Sequence, residues 1–306
     1  MDKMMALTGI FVAAIGMVVA SSSSSETPKR PGILGIAFVQ IESSSPESEK
    51  FYNGVLRLPS LGTGNCIDFE SQCYFINPYQ HVEIVKRENP SSKDLIHSVG
   101  LYTRDVKSAR AYLLARGYTP GDIVSDRHGA TYFEVRDPEK HRLFIVAFPK
   151  GGTAGSVMGG PPISSKLIHA GWVVQNREAM DKFYKDALGF HLYWQGGMKD
   201  GRADWVSMQV PDGTDWIEYM LNIPPDADKH LLGVMNHIAL GVPSVQAAAE
   251  QLKKNGVKLT EEPKIGRDGK WQLNLYDPDG TRVELMEFTP VEKPCCSEFT
   301  GTHPKP

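Results

Sequence analysis

Tryptophan is missing from the first half of this 306-residue chain, cysteine is scarce, and no basic tract exceeds pairs such as Lys29-Arg30. The last absence excludes a class of function. The 33 Lys and Arg are dispersed among 36 Asp and Glu, for a net charge of −3, so no surface is built to track a phosphate backbone and nucleic acid is not an expected partner. Among the four cysteines no spacing resembles a zinc knuckle. Cys66 and Cys73 flank a six-residue segment and are compatible with either a disulfide or two free thiols, because separation alone does not fix bridge geometry. Cys295 and Cys296 are adjacent near the C-terminus.

Long apolar runs are rare too. The longest, Met5 to Ala20, has 16 residues, short of the ~20 that span a bilayer, and is followed by a Ser21 to Ser25 tract and a Pro/Lys/Arg stretch. This pattern predicts a signal peptide over 1–20, cleaved after Ala20, and a linker over 21–31. The mature protein is then expected outside the cytoplasm, periplasmic or secreted, with no stable membrane insertion.

What remains is 41% hydrophobic and 23% charged, the composition of an ordinary globular protein with length for two domains. A Gly/Pro-rich linker over 150–164 separates segments 32–149 and 165–290, and residues 291–306 read as a flexible tail. The second segment repeats landmarks of the first. Phe51-Tyr52 recurs as Phe183-Tyr184, and Asp137-Pro138-Glu139 recurs as Asp277-Pro278-Asp279. Within each segment, strand-like runs and helical stretches follow the order strand, helix, three strands, and that unit occurs four times. The fold class is α+β, with four βαβββ units paired into two domains.

Four polar residues in the second segment interrupt apolar strands: His169 in Ile168–Trp172, Glu218 in Trp216–Met220, His237 in Asn236–Leu240 and Glu284 in Arg282–Met286. A carboxylate facing a core is costly unless paired or bound to a metal. Each histidine alone is ordinarily a satisfied core residue; the four together are the donors that a divalent ion takes. His81, His97, His141, His191 and His230 stand outside this frame and are read as ordinary surface or core residues.

Paired units with strands carrying His, Glu, His and Glu in that order, together with Phe183-Tyr184-Lys185-Asp186-Ala187-Leu188-Gly189-Phe190 and Asp277-Pro278-Asp279-Gly280, resemble the vicinal oxygen chelate superfamily. That group includes glyoxalase I, extradiol dioxygenases and bleomycin resistance proteins. The resemblance implies two glyoxalase-like domains with curled mixed sheets, and aligning the halves sets His169 against Gly35, His237 against Ser98, Glu284 against Phe144 and Glu218 against Glu83. The first domain, 32–149, is therefore expected to be degenerate and without a metal site. The second, 165–290, is expected to hold one divalent metal ion (nickel, zinc, iron, manganese or cobalt) on His169, Glu218, His237 and Glu284.

The resemblance to glyoxalase I also implies that Glu284 or Glu218 is catalytic, shuttling a proton between adjacent carbons of a small-molecule substrate with vicinal oxygens. Asn222 stands where that family holds glutathione, but its arginine four residues after the first ligand is Val173 here, and no basic residue precedes His237 in Leu232-Gly233-Val234-Met235. An extradiol dioxygenase would use His169, His237 and Glu284 as a facial triad for iron(II). A non-catalytic drug-binding protein of the same fold would use aromatic walls, for which Trp172 and Trp216 are candidates. A homodimer is compatible with any of these.

Overall fold

The computed structural model describes residues 28–63, 66–67, 70–87, 89–152 and 162–306. The expected signal peptide, most of the 21–31 linker and residues 153–161 of the interdomain linker lie outside the described residues. Runs rich in Val, Ile, Leu and aromatic residues, punctuated by Gly, Pro and Asp, fold into sixteen described strands. Those of the first domain are β1 (Gly35–Ser43), β2 (Ser60–Thr63), β3 (Gln72–Asn77), β4 (Gln80–Lys86), β5 (Ile96–Tyr102), β6 (Val124–Ser125), β7 (Thr131–Arg136) and β8 (Arg142–Ala147). In the second domain they are β9 (Lys166–Val173), β10 (His191–Gly196), β11 (Trp205–Gln209), β12 (Trp216–Met220), β13 (His237–Val242), β14 (Lys264–Ile265), β15 (Trp271–Tyr276) and β16 (Arg282–Glu287).

The helices fall where the fourfold unit requires. A π-helical turn, Lys50–Val55, follows β1; α1 (Val106–Ala115) follows β5; α2 (Arg177–Asp181), continued by a π-helical turn over Lys182–Ala187, follows β9; and α4 (Val245–Lys254) follows β13. Ser244 caps α4 by accepting from the Ala247 amide at 3.2 Å. One further helix, α3 (Lys229–Met235), joins the third and fourth units and delivers the chain to His237. No described helix is long and apolar enough to cross a membrane.

Each domain is an eight-stranded mixed sheet, ordered β2-β3-β4-β1-β5-β8-β7-β6 and β10-β11-β12-β9-β13-β16-β15-β14. In the second, β9 and β13 run antiparallel at the centre, and each pairs in parallel with the last strand of its own unit, β12 and β16. The four strands that carry the candidate donors are thus adjacent. Period-2 alternation turns one face of these strands to a shared core with the helices and the other to a pocket.

The repeated sequence landmarks meet across the domains. Tyr52 of the first unit donates to Asp277 Oδ2 of the fourth at 3.0 Å, and Tyr184 of the third donates to Asp137 Oδ2 of the second at 3.2 Å. A second joint forms around the buried carboxylate of Asp215, which accepts from the Ile36 amide at 2.9 Å and from Gln80 Nε2 at 3.1 Å, with Lys166 Nζ at 3.3 Å. Burial raises the Asp215 carboxyl to about 6 against the pull of Lys166.

Two expectations need correction here. Strand register sets Phe38, not Gly35, at the place of His169: β4 aligns Glu83 with Gln40 and His81 with Phe38, as β12 aligns Glu218 with Gly171 and Trp216 with His169. The turn between the first strand and its helix absorbs length differences, so landmarks beyond it do not fix register within the strand. The equivalents of His237 and Glu284 are Ser98 and Phe144, as the sequence alignment has them. The second correction concerns residues 291–306, which pack instead of fraying. β10 is an edge strand with free backbone groups, and the tail supplies partners: the Thr300 amide donates to Tyr193 O at 3.0 Å, and Ser297 Oγ both accepts from and donates to the Gln195 backbone at 3.0 Å. Cys66 is bridged to Cys73, and Cys295 to Cys296.

Candidate metal centre

On the pocket face of β9, β12, β13 and β16 the side chains of His169, Glu218, His237 and Glu284 converge. The two imidazole Nε2 atoms are 3.0 Å apart. Glu218 Oε2 lies 3.4 Å from His237 Nε2 and 3.8 Å from His169 Nε2, and Glu284 Oε2 lies 3.8 Å from each. Donors about 2.1 Å from a common ion stand roughly 3.0 Å apart at right angles and roughly 3.4 Å apart at a tetrahedral angle. These histidine–carboxylate spacings are within a few tenths of an ångström of those values; His169, His237 and Glu284 have donor atoms all within 4.8 Å of one another, a set that fits a divalent ion, with Glu218 beside the two imidazoles.

Two features prepare the imidazoles for that role. His237 Nδ1 donates to the Met235 carbonyl at 2.7 Å, which leaves the Nε2 lone pair directed at the cluster. Gly171, the strand partner of His237, has no room for a side chain: a Cβ there would lie 2.2 Å from His237 Cε1. Burial holds both histidines well below the usual imidazole range, so both are neutral, the form that binds a metal. Glu284 is also buried, and its carboxyl is pushed up to about 8, chiefly by desolvation, with Arg282 opposing and Glu218 adding to the rise. The ionised form in that position is favoured by a nearby cation.

The cluster opens onto a cavity of ≈ 160 Å³ lined by Tyr193, Trp216, Glu218, Arg282, Met286 and Phe299, among others. Glu218 is the more open of the carboxylates, and its Oε1 accepts from Ser207 Oγ at 3.3 Å. Trp216 lies against His169 with ring centroids 4.8 Å apart and forms part of the wall, where the sequence places it.

The other two expected substrate contacts are elsewhere. Trp172 lies on the opposite face of β9 from His169 and stacks on His141 of the first domain at 4.4 Å and 8°. It serves the interdomain core. Asn222 sits just past β12 with a positive φ of 62° and donates to Ala203 O at 2.9 Å and Asp204 Oδ1 at 2.8 Å, so its amide is committed to a turn. Neither lines the cavity.

Several residues in or behind the pocket wall escape the sequence reading. Lys270 is fully buried, donates to Tyr193 OH at 3.1 Å, and has its ammonium 4.9 Å from the Trp216 ring centre and 5.3 Å from that of Phe299. Burial lowers it to about 8 despite Asp268 and the two glutamates. Phe299 comes from the tail, and His303 Nδ1 meets Tyr193 OH at 2.6 Å. Arg282 was legible in principle, since two residues before Glu284 on a strand means the same face.

Paired βαβββ units curling around a His/Glu cluster on the central strands are the architecture of vicinal oxygen chelate proteins. The second domain matches that group in sequence: residues 166–285 match the family model described as Glyoxalase/Bleomycin resistance protein/Dioxygenase superfamily. It is 27% identical over 124 residues to lactoylglutathione lyase of Haemophilus influenzae, covering 40% of this chain and 92% of that protein. It is also 27% identical over 135 residues to probable lactoylglutathione lyase, chloroplastic, of Arabidopsis thaliana, of which it spans 38%. Among solved structures, the 2,3-dioxygenase LapB from Pseudomonas sp. KL28 superposes with a TM-score of 0.64 at 19% identity, over 91% of this chain and 96% of that one. That likeness extends the shared fold across both domains.

Proposed function

We propose that the protein is a divalent-metal-dependent lyase or isomerase of the glyoxalase type, acting on a small substrate with oxygens on adjacent carbons. The observation that carries this reading is that Glu218 lies against both His169 and His237, at 3.8 and 3.4 Å, a further carboxylate that a three-ligand site does not need. His169, His237, Glu218 and Glu284 would hold the ion. When bound, it supplies Lewis-acid polarisation of the neighbouring oxygens, which lowers the cost of removing a proton from the carbon beside them.

The protein's own groups do the rest. Glu218, facing the cavity, takes the proton on a carboxylate oxygen and returns it to the adjacent carbon, with Ser207 Oγ holding its other oxygen in place. No electron leaves the substrate, so no co-reactant is consumed. Trp216, Tyr193 and Phe299 wall the site and keep bulk water from competing for the transferred proton. Val173 stands where the glyoxalase pattern has its arginine, and Asn222 is committed elsewhere, so glutathione is not the expected carrier.

A second reading rests on one observation. His169, His237 and Glu284 have donor atoms all within 4.8 Å of one another, the set an iron(II) dioxygenase uses, with Glu218 outside that set. Oxygen uptake with catechols, set against isomerisation of small hemithioacetals by the same metal-loaded preparation, separates the two. The glyoxalase-type reading expects turnover without oxygen consumption, and Glu218→Gln abolishing turnover while retaining metal; oxygen uptake in step with catechol loss would overturn it.

A further inference from the structure

Beside the donor cluster is a positive charge whose ion-pair partner is itself a candidate metal donor. Arg282 and Glu284 share the pocket face of β16, and Arg282 is in register with His237 on β13. Its Nε is buried without a partner among the described residues, and its contact with Glu284 Oε2, at 3.8 Å, is beyond hydrogen-bond distance. The neighbouring cations are already committed. Arg267 donates to Gly197 O at 3.1 Å and pairs with Asp200, while Lys270 bonds Tyr193 OH among aromatic rings and faces Asp268.

With a divalent ion in place, Glu218 and Glu284 neutralise it and Asp268 offsets Lys270. The charge of Arg282 is then left over. A partly buried guanidinium whose Nε has no partner, and whose nearby carboxylate is given up to the ion, is costly to leave so and is satisfied by an oxyanion that enters the pocket. Its planar fork suits a carboxylate.

We propose that Arg282 is the specificity-determining anchor for the substrate and selects a small monocarboxylate with an oxygen on the carbon next to the carboxylate, a 2-oxo or 2-hydroxy acid. This rests on the metal-centre reading and narrows its substrate class. One carboxylate oxygen and the neighbouring oxygen face the donor cluster, and the second carboxylate oxygen accepts from Arg282. The cavity of ≈ 160 Å³ suits so small an acid.

The test is a binding titration of cobalt-loaded full-length protein, followed by visible absorption, with pyruvate and its uncharged analogue pyruvamide. Wild type is expected to prefer pyruvate. In Arg282→Gln that preference should shrink roughly ten- to a hundredfold, the worth of a charge-assisted hydrogen bond at a buried site. Arg282→Lys should restore part of it, because it returns the charge without the fork. Bound cobalt should not fall in Arg282→Gln, since the substitution removes a cation next to the ion. An unchanged preference in Arg282→Gln, or loss of cobalt from that variant alone, overturns this inference and leaves the metal centre standing. Absence of cobalt from the wild type overturns both.

Discussion

Gly171 shows how little side-chain volume the candidate centre tolerates. Its missing Cβ is what lets the His237 ring pack over β9 with Nε2 3.0 Å from that of His169. Gly171→Ala should therefore displace the ring and weaken cobalt or zinc binding roughly tenfold or more, the usual cost of disturbing a ligand's support, as read by competition with a chromophoric chelator. Wild-type affinity in that variant would mean that His237 is not a ligand. The four candidate donors were legible in the sequence because each is a polar residue in an apolar strand. It did not show Lys270, whose surroundings are assembled from Tyr193, Trp216 and Phe299 at distant points in the chain. It misplaced Trp172 and Asn222 because proximity along a strand does not say which face a residue is on or where a turn consumes an amide.

The duplicated units act as clasps between the sheets as well as repeats along the chain. Tyr52 reaches Asp277 and Tyr184 reaches Asp137, so each recurring aromatic pair bonds the recurring Asp-Pro turn of the other domain. Tyr52→Phe and Tyr184→Phe should each cost about 1–2 kcal/mol in urea unfolding, since each leaves a buried carboxylate one donor short. The Asp215 joint gives a pH signature of known sign. Its folded pKa, about 6, stands above the ordinary 3.8, so the stability it contributes is complete below about pH 4 and is lost as pH rises through about 6. Relative to Asp215→Asn, the wild type should lose about 2–3 kcal/mol between pH 4 and pH 7, measured by urea unfolding at both. A constant difference would show that Lys166 and Gln80 fully compensate the charge.

Across the whole molecule, a sheet edge, a pocket and the C-terminal segment are joined. The tail pairs with β10, accepts from Trp194 Nε1 at the Cys295 carbonyl and places Phe299 over Lys270. Removing residues 295–306 should open the pocket, make Trp194 and Trp216 more accessible to acrylamide quenching, and cost about 2–3 kcal/mol for the lost aromatic packing. The fourfold unit and most strand positions were legible in the sequence, because period-2 alternation and the recurring landmarks are local signals. The tail was not, because its composition is that of a loop and its order comes from the free edge of a strand about a hundred residues earlier. The central claim is that one divalent ion is held by the second domain on His169, Glu218, His237 and Glu284. Elemental analysis of protein loaded with metal and then exhaustively dialysed tests it most directly. The account predicts one ion per chain in the wild type and none in a folded His237→Ala variant, whereas an ion-free wild type, or an ion retained in that variant, would contradict it.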